Sequence, residues 1–293
     1  MFRLGVISDE ISQDFERVMQ VLQEYEVPTV EPRSVWDKPP QDLTDDDISR
    51  MKSLMSGYGI ECCSIATPFL KCDLGDAEQY TQHLGILRRC LRLANELGAP
   101  LIRTFAFWRT GPAAAVWQQL LDAYEEPVRL AEAAGVTLCM ENEASTHLAT
   151  ARETAEFCAA INHPRVRAIW DPANEVFAEE GVLPFPDAFE QLKPWMVHMH
   201  IKDAVKVPGG EAKCVPVGDG GYIDYPGQFK ALLEMGYAGV CSLETHWRPT
   251  EELDEDLLNR PGGAVFSATG EPATRICLDK IYAILRTLGW QPA

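Results

Sequence analysis

Val197-His198-Met199-His200-Ile201-Lys202-Asp203 alternates apolar and polar side chains as a buried strand does, yet its polar positions carry imidazoles where a plain core takes aliphatics. An inward imidazole needs a polar partner, and in a carboxylate-rich chain the fitting one is a divalent metal. Three other apolar runs end in a carboxylate: 136–140 runs into Glu141, 166–170 into Asp171 and 240–243 into Glu244. Residues 196–201 thus read as one strand of a repeating fold whose strand ends build a site.

The same alternation extends in both directions. Strands are expected at 4–7, 27–33, 61–66 and 101–105, then at 136–140, 166–170, 196–201 and 240–243. Between them, helical spacing predicts helices after Ser12 or Asp14, after Thr44-Asp45-Asp46-Asp47, at 77–97, 114–134, 151–161, 186–192 and 225–235, and a last one at 273–288. Eight strand–helix units in 293 residues predict an α/β fold, a parallel (β/α)8 barrel forming one domain over residues 1–293. The first strand–helix turn lacks Gly-x-Gly-x-x-Gly, which argues against a dinucleotide-binding sheet. The connection 246–272, rich in Pro, Gly and acids, is long enough to serve as a lid or a subunit contact.

Composition bounds the function. With 44 acidic against 26 basic residues and a net charge of −18, a nucleic-acid partner is not expected. There is no run of eighteen apolar residues and no leader pattern at Met1-Phe2-Arg3-Leu4-Gly5, so neither a membrane span nor secretion is expected. Nine cysteines without a Cys-x-x-Cys spacing read as reduced thiols, and the expected location is the cytoplasm. The composition leaves assembly into a homo-oligomer open.

In such a barrel all strands point their C-terminal ends at one face, so Glu141, Asp171, His200 and Glu244 converge there. Three carboxylates and an imidazole suit one divalent ion, Mn, Zn, Mg or Co. Glu143 competes with Glu141, and His198 with His200, because each pair shares a strand face; Glu141 and His200 are preferred. Asp203 reads either as a group orienting a ligand or as a loop acid, and Lys202 either as a substrate contact or as a solvated residue. Arg33, Lys71, Arg103, Arg109 and Lys206 follow strand ends, where they either hold substrate hydroxyls, carboxylate or phosphate or form surface ion pairs. Trp36, Phe69, Phe107, Trp108 and Trp247 fall in the same loops and offer faces for a sugar ring or ordinary packing.

At Met140-Glu141-Asn142-Glu143, Trp170-Asp171-Pro172-Ala173-Asn174, His198-Met199-His200-Ile201-Lys202-Asp203 and Leu243-Glu244-Thr245-His246 the chain resembles the sugar phosphate isomerase/epimerase superfamily, the xylose isomerase-like TIM barrels. The likeness covers nearly the whole chain. It implies that Glu141, Asp171, His200 and Glu244 bind one divalent metal and that Glu141 and Glu244 flank a sugar or polyol as an acid/base pair. It also places Asn174 and Lys206 at substrate-binding positions. There the best-known ketose 3-epimerases carry a histidine and an arginine, so ketohexose epimerisation is not implied. Endonuclease IV, the nucleic-acid branch, uses more histidines than the six present. The activity expected is isomerisation or epimerisation of a keto-sugar, polyol or sugar phosphate by proton transfer through an enediolate. The alternatives are dehydration of a related keto-polyol, DNA repair by phosphodiester hydrolysis, and a non-catalytic sugar- or metal-binding barrel.

Overall fold

Local chemistry starts and stops the helices between the strands. Asp14 accepts from Glu16 N to start Phe15–Glu24, and Thr44 and Asp47 form a reciprocal capping box on Asp45–Tyr58. Asp76 caps Ala77–Leu97, and Gly59, Gly98 and Gly135 end their helices in the left-handed conformation that costs glycine least. The computed structural model describes residues 1–250 and 252–290; Glu251 in the long connection and 291–293 at the expected domain end lie outside the described residues.

The strands are β1 (Arg3–Ile7), β2 (Thr29–Glu31), β3 (Glu61–Cys62), β4 (Leu101–Thr104), β5 (Thr137–Glu141), β6 (Val166–Trp170), β7 (Met196–Ile201), β8 (Asp203–Lys206), β9 (Ala212–Val215) and β10 (Val240–Leu243). Eight of them form one parallel sheet in the order β3-β2-β1-β10-β7-β6-β5-β4. A parallel bridge between Ile65 and Ile102 joins its two edges, with Ile65 N donating to Leu101 O and Arg103 N to Ile65 O. The sheet therefore closes into the expected (β/α)8 barrel. Outward positions such as Leu138, Met199, Ile201 and Leu243 bury against the helices. Among the described residues no helix is long and apolar enough to cross a membrane.

Four expectations need correction. Residues 63–66 lie outside a continuous ladder, because only Ile65 is bridged to β4. The helix expected at 114–134 is two, Trp117–Ala123 and Glu125–Ala134, because Pro127 cannot donate within one continuous helix. The helix expected at 186–192 is regular only over Phe189–Leu192. The connection 246–272 carries helices at Glu255–Asn259 and Gly263–Ser267, and Gly270–Thr287 begins inside it. Two elements were unexpected: a short helix Pro172–Phe177 after β6, and the antiparallel hairpin β8–β9 at the barrel mouth. The hairpin had a signal in Pro208-Gly209-Gly210, where both glycines take positive φ.

Candidate metal centre

Period-two alternation aims the chemistry inward. On β7 and just beyond it, His198, His200 and Lys202 face the barrel axis; Arg103, Glu141, Ser242 and Glu244 do the same from β4, β5 and β10, and all seven are buried. Donor atoms of Glu141, Asp171, His200 and Glu244 lie within 4.8 Å of one another. His200 Nδ1 is 2.7 Å from Glu141 Oε1 and 3.6 Å from Glu244 Oε2. Asp171 divides its two oxygens: Oδ1 caps Pro172–Phe177 by accepting from Ala173 N and Asn174 N, which leaves Oδ2 for the site. Asn142 fixes the β5 and β6 ends together, accepting from Asp171 N at 2.9 Å and donating to Asp171 O at 2.8 Å.

The positive groups are equally organised. Tyr225 Oη accepts from Lys202 N and donates to Lys202 O, clamping the backbone so that Nζ reaches Glu244 Oε2 at 3.1 Å and Asp171 Oδ2 at 2.8 Å. Arg33 spans Asp9, Glu10 and Glu244 at 2.9, 2.9 and 2.6 Å. Arg103 lies 3.4 Å from Glu141 and 3.3 Å from Glu244. Burial and the charges of Glu141 and Glu244 push Asp171 up to about 7 despite Lys202. Burial would also raise Glu244, but Lys202, His200 and Arg33 hold it well below the usual carboxylate range. Burial, aided by Lys202 and Arg33, lowers His246 to about 3 and keeps it neutral.

These groups fit a divalent cation. Glu141 Oε2 and Asp171 Oδ2 are buried oxygens without a hydrogen-bond donor; Lys202 approaches the latter without the alignment for one. Without an ion the cluster draws a proton instead: burial would lower His200, but Glu141 and Glu31 raise it well above its ordinary value, and a cation bound at Nδ1 would take that proton's place among the carboxylates.

The other expected residues divide. Arg33 enters the cluster. Asn174 and Lys202 line a cavity of about 540 Å³ together with Glu143, Cys214, His246 and Asn259. Lys71 donates to Glu143 at 3.0 Å and to Asn259 O at 2.8 Å, and it lines a second cavity of about 320 Å³ with Arg33, Arg103 and Arg260. Half-buried Trp108 stands at this rim with Lys71 and Arg260 against its ring. Arg109 is not brought to the site: it is bound to His147 O and Glu153, holding the loop before Ala151–Ile161. Lys206 lies exposed on the hairpin and lines neither cavity. Asp203 is neither ligand-orienting nor exposed: it is a buried anchor accepting from Gly218 N and Ala204 N. Gly221 must be glycine for this packing, since a Cβ there would meet the Asp203 carboxylate at 1.8 Å.

Sequence reasoning missed Asp9, Glu10, Glu31 and Arg248. Glu31 obeys the rule that found the others, a carboxylate ending a strand. Asp9 and Glu10 follow β1 in a one-turn helix, Ser8–Glu10.

Fold and site together define a closed parallel barrel with an acidic, imidazole-bearing mouth. The chain belongs to the xylose isomerase-like TIM barrel family, whose model matches residues 19–262. It is 26% identical over 147 residues to an inosose dehydratase of Klebsiella pneumoniae, covering 45% of this chain and 48% of that one. It is 25% identical over 169 residues to a D-psicose 3-epimerase of Ruminiclostridium cellulolyticum, covering 51% and 53%. The chain thus matches about half the length of these curated relatives. The crystal structure of the IOLI protein with a binding zinc atom superposes with a TM-score of 0.75 at 16% identity, covering 98% of this chain and 99% of that one.

Proposed function

We propose that this protein is a divalent-metal-dependent isomerase or epimerase that moves a proton on a keto-sugar, polyol or sugar phosphate through an enediolate. The observation that carries this reading is the convergence of Glu141, Asp171, His200 and Glu244, with donor atoms within 4.8 Å, at the barrel face where such folds do chemistry. These four would hold one Mn, Zn, Mg or Co ion, which supplies Lewis acidity toward a carbonyl when bound. Glu141 and Glu244, which both approach His200 Nδ1, at 2.7 and 3.6 Å, act as the acid/base pair: one removes the proton beside the carbonyl, the other returns it on the opposite face. Lys202, Asn174 and Lys71 offer donors to substrate hydroxyls, and the rim ring of Trp108 offers a face to the sugar.

The second reading is a dehydratase, supported by the inosose dehydratase likeness. The same proton abstraction ends in loss of water where a hydroxyl stands beta to the enediolate.

The test is turnover of a keto-polyol and keto-sugar panel in deuterated water with one added divalent ion. Expected is an epimer or isomer carrying deuterium next to the carbonyl, with activity abolished by chelation and reduced steeply in Glu141→Gln and Glu244→Gln. A product lighter by one water assigns the dehydratase. Product without solvent deuterium over many turnovers would refute proton transfer and move a hydride shift ahead of it.

A further inference from the structure

Beneath the four candidate ligands lies a second layer that the proposed reaction does not use. Glu31, fully buried at the end of β2, reaches across the barrel interior to β7. Its Oε2 is 2.9 Å from His198 Nε2 and 3.3 Å from His200 Nε2. The path crosses β1 and β10, whose positions in register with Thr29 and His200 are Gly5 and Ser242. Both are small, and a Cβ at Gly5 would meet Thr29 Oγ1 at 2.7 Å and Ser242 Oγ at 2.9 Å. The strands between the carboxylate and the imidazoles therefore leave room for this contact.

Resting on the metal reading above, we propose that Glu31 is a positioning residue that holds the Nε2–H of His200 and so turns its Nδ1 lone pair to the ion. A neutral imidazole carries one ring proton, and the nitrogen that bears it cannot ligate. His200 Nδ1 faces Glu141 and Glu244, while Nε2 faces Glu31. Without an ion Nδ1 meets Glu141 Oε1 at 2.7 Å; with an ion in the place of the Nδ1 proton, the acceptor-only carboxylate at Nε2 would keep the remaining proton there, and its charge would raise the donor strength of the ring. His198 completes the device. Its ring stands edge-on to that of His200, at 89° and 5.4 Å between centroids, and its Nε2 shares the same Glu31 oxygen. His198 thus keeps Glu31 in place, which explains an imidazole in the barrel interior that does not join the four ligands.

The test uses the full chain with ¹⁵N-labelled histidine rings, read with and without Zn²⁺, alongside calorimetric titration with Zn²⁺ and Mn²⁺. In the loaded protein His200 is expected to be protonated at Nε2, with Nδ1 carrying the shift of a ligating nitrogen. Glu31→Gln keeps the shape and weakens ion affinity by roughly 10- to 100-fold, the range for such supporting groups, with an unchanged circular dichroism spectrum. Glu31→Ala in addition mixes the His200 tautomers. The tautomer in the wild-type chain needs no variant to fold. His200 protonated at Nδ1, unchanged affinity in both variants, or two ions bound per chain, the second on Glu31 and His198, would each overturn the proposal. A wild type that binds no ion while His200 still donates from Nε2 to Glu31 would instead sink the metal function and leave this contact as structural.

Discussion

Arg248→Met tests whether the long connection after β10 is a lid strapped to the barrel by one buried guanidinium. The Arg248 side chain is fully buried; Nη1 donates to Glu10 Oε2 at 3.1 Å and to Trp247 O at 2.9 Å, and Nη2 to Phe266 O at 2.8 Å. Its guanidinium also sits 4.6 Å from the Phe266 ring. Methionine fills similar volume but donates nothing, leaving Phe266 O unpaired and Glu10 short of one cation. Breaking a buried pair from one side costs about 3–5 kcal/mol. Glu10 keeps Arg33 at 2.9 Å and Thr245 Oγ1 at 3.0 Å, so the lower end, about 3 kcal/mol, applies. Glu255–Asn259 and Gly263–Ser267 also hold to the barrel through Lys71, Ser34, Asp9 and Gln13 and through Arg33 and His246 against the Phe266 ring, and the loss of Arg248 is expected to fall on the opening of this segment. About 3 kcal/mol corresponds to roughly a hundredfold rise in the opening constant. Amide hydrogen exchange by mass spectrometry should show that acceleration over 256–267 while β5, β6 and β7 keep their rates. Unchanged exchange over 256–267 refutes the strap, and an equal acceleration of every strand shows that Arg248 supports the whole barrel instead.

Asp171→Asn should abolish ion binding in calorimetry yet leave the thermal midpoint of the ion-free protein unchanged or higher, because the cap through Oδ1 survives and repulsion from Glu141 and Glu244 is removed. Asp171→Ala loses the cap as well and should cost about 1 kcal/mol, measured by urea unfolding. Arg109→Ala should lower stability by about 1 kcal/mol and leave KM unchanged, since Arg109 holds Glu153 rather than facing either cavity; a raised KM at unchanged stability would return it to the substrate. Burial raises the Glu10 carboxyl, but Arg248 and Arg33 outweigh it and bring it to about 2 from 4.5, so its stabilisation is present above about 4.5 and is lost as pH falls toward 2. Glu10→Gln should therefore be less stable than wild type at pH 7, with the gap closing through that window; a gap independent of pH refutes the assignment.

How much was legible depends on whether the signal was local. The strands that carry Glu141, Asp171, His200 and Glu244 are written in short apolar runs ending in chemistry, and the barrel places them together without further information. The third strand was overextended because beyond Cys62 its bridging rests on one partner, Ile102, which no pattern within residues 61–66 reveals. Arg109 and Lys71 look alike in sequence, each following a strand. What separates them is the helix each meets, at Glu153 for one and Asn259 for the other, contacts made across 44 and 188 residues. Glu31 was hidden because the second strand was expected to run over 27–33, which put Arg33 and not Glu31 at its end, whereas the strand stops at Glu31.

Lys71 makes one ammonium answer to two masters. It balances Glu143 on the barrel and holds the carbonyl of Asn259 on the lid, and Asn259 borders both cavities. A molecule that drew Lys71 toward itself in the smaller cavity would take away the hydrogen bond to Asn259 O, and with it one of the contacts that set the wall of the larger cavity. The two cavities thus share a wall and a cation, and what fills one changes the lining of the other.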